Sequence, residues 1–236
     1  MSSHLLQRYL GGDSAGVWRD LTALGAAARL ELYYGEAVEV ASETMRRARR
    51  NVELIVPRLE KLGYEFAGYS PVFEPAGESA AHDLDAFEEE IGGVLPLSLR
   101  YWYQLVGPVN WMGWHEALNP KKGPHCGDPL VMDPYRESAE DAARLFGDPE
   151  GGLPLEFDLW LAPDALHKNN VSGGSPYAMR VPDASADANL LYEWSADTLV
   201  SYLRRSFEWG GFPEWKGRRD APQKEIDYLT EGLFAL

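Results

Sequence analysis

The chain has 236 residues, 45% of them hydrophobic and 25% charged, which suits a globular fold and excludes a disordered or collagen-like one. A single cysteine, Cys126, excludes an intramolecular disulfide and predicts a reducing, cytoplasmic setting. The net charge of −15 disfavours contact with nucleic-acid phosphates and favours basic partners. That charge is segregated: residues 1–70 hold nine basic and nine acidic side chains, whereas residues 71–236 hold 13 and 28. No run of about 18 apolar residues is present, so no membrane span is expected. The first residues lack a basic stretch followed by an apolar core, which predicts no secretory signal.

Residues 1–67 read as a helical extension. Val38, Ala41, Met45, Ala48, Val52, Ile55, Leu59 and Leu62 recur in steps of three and four, which places them on one helical stripe. Val17, Leu21, Leu24 and Ala28 supply a facing helix, with Gly35 at the turn, so the spacing predicts an N-terminal helical hairpin. Pro57 should kink or restart its second helix, because it removes a hydrogen bond and clashes with the preceding turn. Arg46, Arg47, Arg49 and Arg50 lie beside Glu39, Glu43 and Glu53, so intrahelical ion pairing on a wet face is expected.

Residues 68–82 are rich in Pro, Gly, Ala and Glu and read as a linker. Two short helices follow. Leu84, Phe87 and Ile91 share one face, Gly92-Gly93 supplies a left-handed stop, and Pro96 opens a second helix bearing Leu99, Trp102 and Val106. Gly107-Pro108 ends it. Residues 108–127 are irregular. Strands are expected at 128–135, 155–162, 176–182 and 189–194; Leu155 to Leu161 alternates apolar and polar side chains as a strand with one wet face does. Ser195 is positioned to cap a helix carrying Leu199, Tyr202, Leu203 and Phe207, and a last helix near Asp220 and Pro222 buries Ile226, Leu229 and Leu233. Helices, then strands, then helices form an α+β pattern.

Motifs that carry chemistry are missing: there is no phosphate loop, dinucleotide fingerprint or nucleophile elbow. Glu88-Glu89-Glu90 point about 100° apart on a helix and read as a solvated face. His82, His115, His125, His167 and Cys126 lack the paired short spacings of a zinc site, so neither a metal nor a cofactor is expected. The strongest candidate loop is His167-Lys168-Asn169-Asn170-Val171-Ser172-Gly173-Gly174-Ser175-Pro176-Tyr177. Its backbone around Ser172-Gly173-Gly174 could form an anion-holding nest, or simply turn the chain between two strands. Trp111, Trp114, Trp194, Trp209 and Trp215 are notable because tryptophan anchors interfaces as well as cores. Trp111 and Trp114, in the irregular segment, are expected to be partly exposed. The candidate partner-binding residues are therefore Trp111, Trp114, His167, Lys168, Asn169, Asn170, Ser172 and Tyr177.

The segment from Leu84 through Gly92-Gly93 and Leu95-Pro96 to Tyr101-Trp102-Tyr103 resembles the acidic helix, Leu-Pro, aromatic helix signature of the SUKH superfamily, which includes bacterial immunity proteins and fungal cell-wall synthesis regulators. The resemblance covers roughly residues 71–210. It implies a SUKH-like α+β domain over 83–236, with a largely antiparallel sheet of about 4–6 strands and helices packed against it. It also implies a non-enzymatic immunity protein that binds and neutralises a basic, nuclease-like toxin domain, acting as a monomer or weak homodimer. The alternatives are a regulatory scaffold with several partners and, behind it, an enzyme built on Cys126 and His167.

Overall fold

The computed structural model describes residues 4–68, 70–120, 127–147, 153–171, 173–195 and 197–236. Two short helices, α1 (His4–Leu10) and α2 (Ser14–Ala23), lead through a 3-10 turn at Gly25–Arg29 into the long α3 (Glu31–Leu62). The apolar stripe read from the sequence is the buried face of α3, with Ala41, Met45, Ala48, Val52, Ile55 and Leu59 at 0% exposure. The turn, however, lies at 25–30, and Gly35 sits inside the helix. Pro57 is likewise interior, and α3 runs through it to Gly63, whose φ of 80° closes the helix. Burial of Ile55 and Leu59 on either side anchors both flanks, offsetting the lost hydrogen bond.

The arginine run does more than pair along the helix. Arg47 and Arg49 do meet Glu43 and Glu53, at 3.0 and 2.9 Å. Arg49 also donates to the Leu105 carbonyl (3.1 Å) and Arg58 to the Leu229 carbonyl (2.8 Å). Both carbonyls lie in the last turns of other helices, where a cation complements the negative end of the helix dipole. Asn51, fully buried, exchanges two hydrogen bonds with the backbone of Phe234. These bonds make α3 a spine that packs on α1, α5 (Leu97–Leu105) and α9 (Gln223–Thr230), so one continuous core spans the residues read as extension and domain.

The segment read as a linker follows β1 (Glu65–Phe66), and its last residues, from Ala80, belong to a helix rather than a linker. Glu74 N–H and Ala76 N–H donate to the Pro108 and Val106 carbonyls, and Phe73 bridges Val109. Beyond it, α4 (Ala80–Glu90) ends on Gly92 at φ 64°, with Gly92 N–H and Gly93 N–H donating back to the Glu89 and Glu88 carbonyls. Pro96 is the N-cap of α5 rather than its first residue. The first amides of α5, at Leu97 and Ser98, are taken up by the Ser185 and Ala186 carbonyls. Glu88 departs from the wet face expected of it: its carboxylate binds Arg100 at 2.5 Å and the Leu95 amide at 2.8 Å, fixing the α4–α5 corner.

The remaining strands are β2 (Val109–Asn110), β3 (Gly113–Trp114), β4 (Val131–Met132), β5 (Phe157–Ala162) and β6 (Tyr177–Val181). Among the described residues they form three antiparallel two-stranded ladders, β1–β3, β2–β4 and β5–β6. The Asp133 N–H donates to Leu161 O at 2.7 Å next to β4 and β5, and isolated bridges add Phe73 to β2 and Leu191 to β6. The fold is α+β with an N-terminal helical part, as expected, but the sheet is broken into short ladders. The strand expected at 128–135 shrinks to two residues because Pro134 caps an unanticipated helix, α6 (Tyr135–Phe146). That helix buries the small Ser138, Ala139 and Ala142, which give little apolar signal in the sequence. The strand expected at 189–194 is reduced to isolated bridges, since Tyr192 turns the chain at φ 65°. Thr198, not Ser195, caps α8 (Leu199–Glu208), accepting from the Ser201 amide. No helix among the described residues is long and apolar enough to cross a membrane.

Candidate functional site

The polar loop between β5 and β6 begins with a one-turn helix, α7 (Ala165–Lys168), capped by Asp164. The Asp164 carboxylate accepts from the Leu166 amide at 2.8 Å and also meets His167 Nδ1. Half of the His167 side chain is exposed, and Asn170 supplies the φ of 59° that turns the chain onward. Of the two readings of Ser172-Gly173-Gly174, an anion nest or a plain turn, the nest rests in part on Ser172. At Gly174 a side chain would strike the Asp164 carboxylate at 2.7 Å, so a negatively charged group lies beside this backbone. Ser172 lies outside the described residues, as do His125 and Cys126.

Lys168 turns inward. Its ammonium, fully buried, stands 2.7 Å from the equally buried Asp128 carboxylate and 4.8 Å from the Tyr177 ring centroid. Tyr177 donates to the other Asp128 oxygen at 3.2 Å. Burial and the Asp128 charge push the Tyr177 hydroxyl well above its ordinary range, so it stays protonated as a donor. Lys168 and Tyr177, expected to meet a partner, are thus brought together as internal supports of the loop. Asn169 is half-buried, its carbonyl oxygen shielded from solvent.

A second cluster lies beside the first. Arg205, from α8, binds Glu193 at 2.7 Å and also Asp197, while the Ser195 amide and hydroxyl donate to Glu193 at 3.0 and 2.6 Å. Burial, then the Asp128 and Glu193 charges, raise the nearby Glu214 carboxyl. The clamp closes the chain around Trp194 and leaves its indole 66% exposed above Arg205.

Trp111 is fully buried, contrary to expectation. Its ring lies against Gly211, where an added Cβ would clash at 2.3 Å, so the positive φ of that glycine and the absent side chain make room for the indole. Trp114, half-buried, pairs with Glu65 in the β1–β3 ladder and lines a shallow depression with His115 and Pro120. The tryptophans therefore do not converge with the 167–177 loop. Exposed apolar side chains lie elsewhere, among them Phe146 (66%), Leu155 (92%), Tyr192 (56%) and Trp194, and, on α3, Leu32 (77%). Leu190-Leu191-Tyr192-Glu193-Trp194 reads as a packed strand, and only the turn at Tyr192 and the Arg205 clamp bring Tyr192 and Trp194 to the surface.

Among the described residues no group of three or more His, Cys, Asp or Glu side chains is placed to hold a metal ion. Trp194 stands exposed above the buried Arg205–Glu193 pair, and the Tyr192 hydroxyl donates to Asp158 at 2.9 Å. No protein-family model, characterised protein or solved structure matches this chain.

Proposed function

We propose that this protein is a non-enzymatic, cytoplasmic binding domain of the immunity kind, which sequesters a basic toxin domain by covering its functional surface. The observation that carries the reading is the coincidence of charge and exposed aromatic groups. Among the described residues, four of the five exposed aromatic side chains, Phe146, Tyr192, Trp194 and Phe234, lie in residues 71–236, the portion that holds the whole net charge of −15. An acidic surface raises the encounter rate with a cationic protein, and rigid aromatic side chains then anchor it at little entropic cost. The resemblance of Leu84–Tyr103 to the SUKH signature supports the same reading, as does the α4–α5 corner that this segment builds.

Affinity capture from native lysate, washed at low and then high salt, tests it. A single basic partner released by salt is expected, with an association rate that falls about tenfold or more as salt screens the surface. An association rate independent of salt would overturn the steering mechanism, and recovery of many acidic or neutral partners would overturn the immunity reading.

A further inference from the structure

The outer face of the β5–β6 ladder carries a groove of about 340 Å³ whose walls and floor differ in chemistry. On β5, Phe157, Leu159 and Leu161 turn into the core, which leaves Asp158 and Trp160 outward. Asp158 pairs in register with Arg180, and Trp160 with Ala178, whose small side chain leaves space beside the indole. Phe146 from the end of α6 and Tyr192 beyond β6 form the walls. We propose that this groove binds one guanidinium side chain of the basic partner, held between the aromatic faces and anchored on Asp158. The inference rests on the proposed function and specifies where the partner is read.

The Asp158 carboxylate is the anchor because it is well placed and incompletely used. Oδ1 accepts from Arg180 Nε at 2.6 Å and Oδ2 from the Tyr192 hydroxyl at 2.9 Å. A carboxylate has about four acceptor positions, so two remain for an incoming donor. The Arg180 side chain is 56% exposed and that of Asp158 19%, so in this half-open pair the cation is the displaceable member while the carboxylate stays in place. Glu156 also lines the groove, giving two carboxylates against one guanidinium. Tyr192 holds a φ of 65°, uncommon for a bulky residue, and its ring and hydroxyl face the groove as a result. Aromatic walls attract cations through their π faces, and a planar guanidinium both stacks and donates in pairs, which selects arginine over lysine.

The test is a titration of the 15N-labelled full chain with a capped Gly-Arg-Gly peptide, with capped Gly-Gln-Gly as control. Saturable shifts are expected at 156–160, 176–180 and 192 with the arginine peptide alone. Asp158→Asn should weaken binding about tenfold. Arg180→Ala should tighten it several-fold, because the resident guanidinium no longer competes; a merely structural Arg180 would give no tightening. All three proteins should keep the same amide dispersion, since both side chains point outward and the amide oxygen introduced by Asp158→Asn still accepts from the Tyr192 hydroxyl. Shifts confined to another acidic surface, or Arg180→Ala binding no tighter than wild type, would overturn the groove while leaving the basic-partner reading intact. Groove binding as described, together with a salt-independent partner association, would overturn that reading alone.

Discussion

Lys168 and Asp128 are both fully withdrawn from solvent and stand 2.7 Å apart, and Tyr177 also donates to the carboxylate. Replacing one partner strands the other charge in the interior, so Lys168→Ala should lose about 3–5 kcal/mol in urea unfolding. Lys168→Met combined with Asp128→Asn should recover much of that loss, because neither charge is then left alone. An equal loss in the double variant would show that packing, not charge, governs the site. Asp187 behaves in the opposite sense to a paired carboxylate. Burial raises it from 3.8 to about 6, against the hydrogen bonds that favour its ionised form. Between those values the folded chain holds a proton the unfolded chain has lost, so this group's contribution to stability falls as pH rises from about 4 to 6. The full effect is about 3 kcal/mol. Asp187→Asn, which keeps an acceptor for the Val200 amide, should therefore gain relative to wild type across that interval in paired unfolding curves. A constant difference between the two proteins would contradict the assignment.

At the scale of elements, α3 decides what can fold alone. It presents one face to α1 and also meets α5 and α9, and its arginines reach the last carbonyls of both later helices. A fragment of residues 83–236 should consequently expose the apolar surface of α5 and α9 and show collapsed amide dispersion and strong binding of a hydrophobic dye. A cooperative, well-dispersed fragment would support the division into extension and domain. The α4–α5 corner carries a parallel lesson. Its glycine stop, proline start and apolar stripes are local features, so they were legible in the sequence. The role of Glu88 was not, because Arg100 and the Leu95 amide approach it only after the corner has closed.

Across the whole molecule, acidic charge and exposed aromatic groups fall in the same part of the chain. The N-terminal 70 residues are neutral in balance and supply the buried spine, while the acidic remainder supplies most of the exposed aromatic groups. A partner approaching this surface meets the charge at long range and the rigid rings at contact, so mutation of surface acids should act on association and mutation of the rings on dissociation.

The helical stripes, the glycine stops, the α+β order and the charge segregation were legible along the chain, because each depends on near neighbours or on composition. Which polar and aromatic groups face water was settled by contacts between distant segments. Lys168 and Trp111 read as surface residues from their loops, yet Asp128, forty residues earlier in the chain, draws one inward, and Gly211, a hundred residues later, admits the other. Tyr192 and Trp194 read as strand residues and emerge because Arg205 and Asp158 hold a turn there. Burial is set by long-range partners whose approach costs desolvation and repays it only in the completed fold, and no local periodicity encodes it.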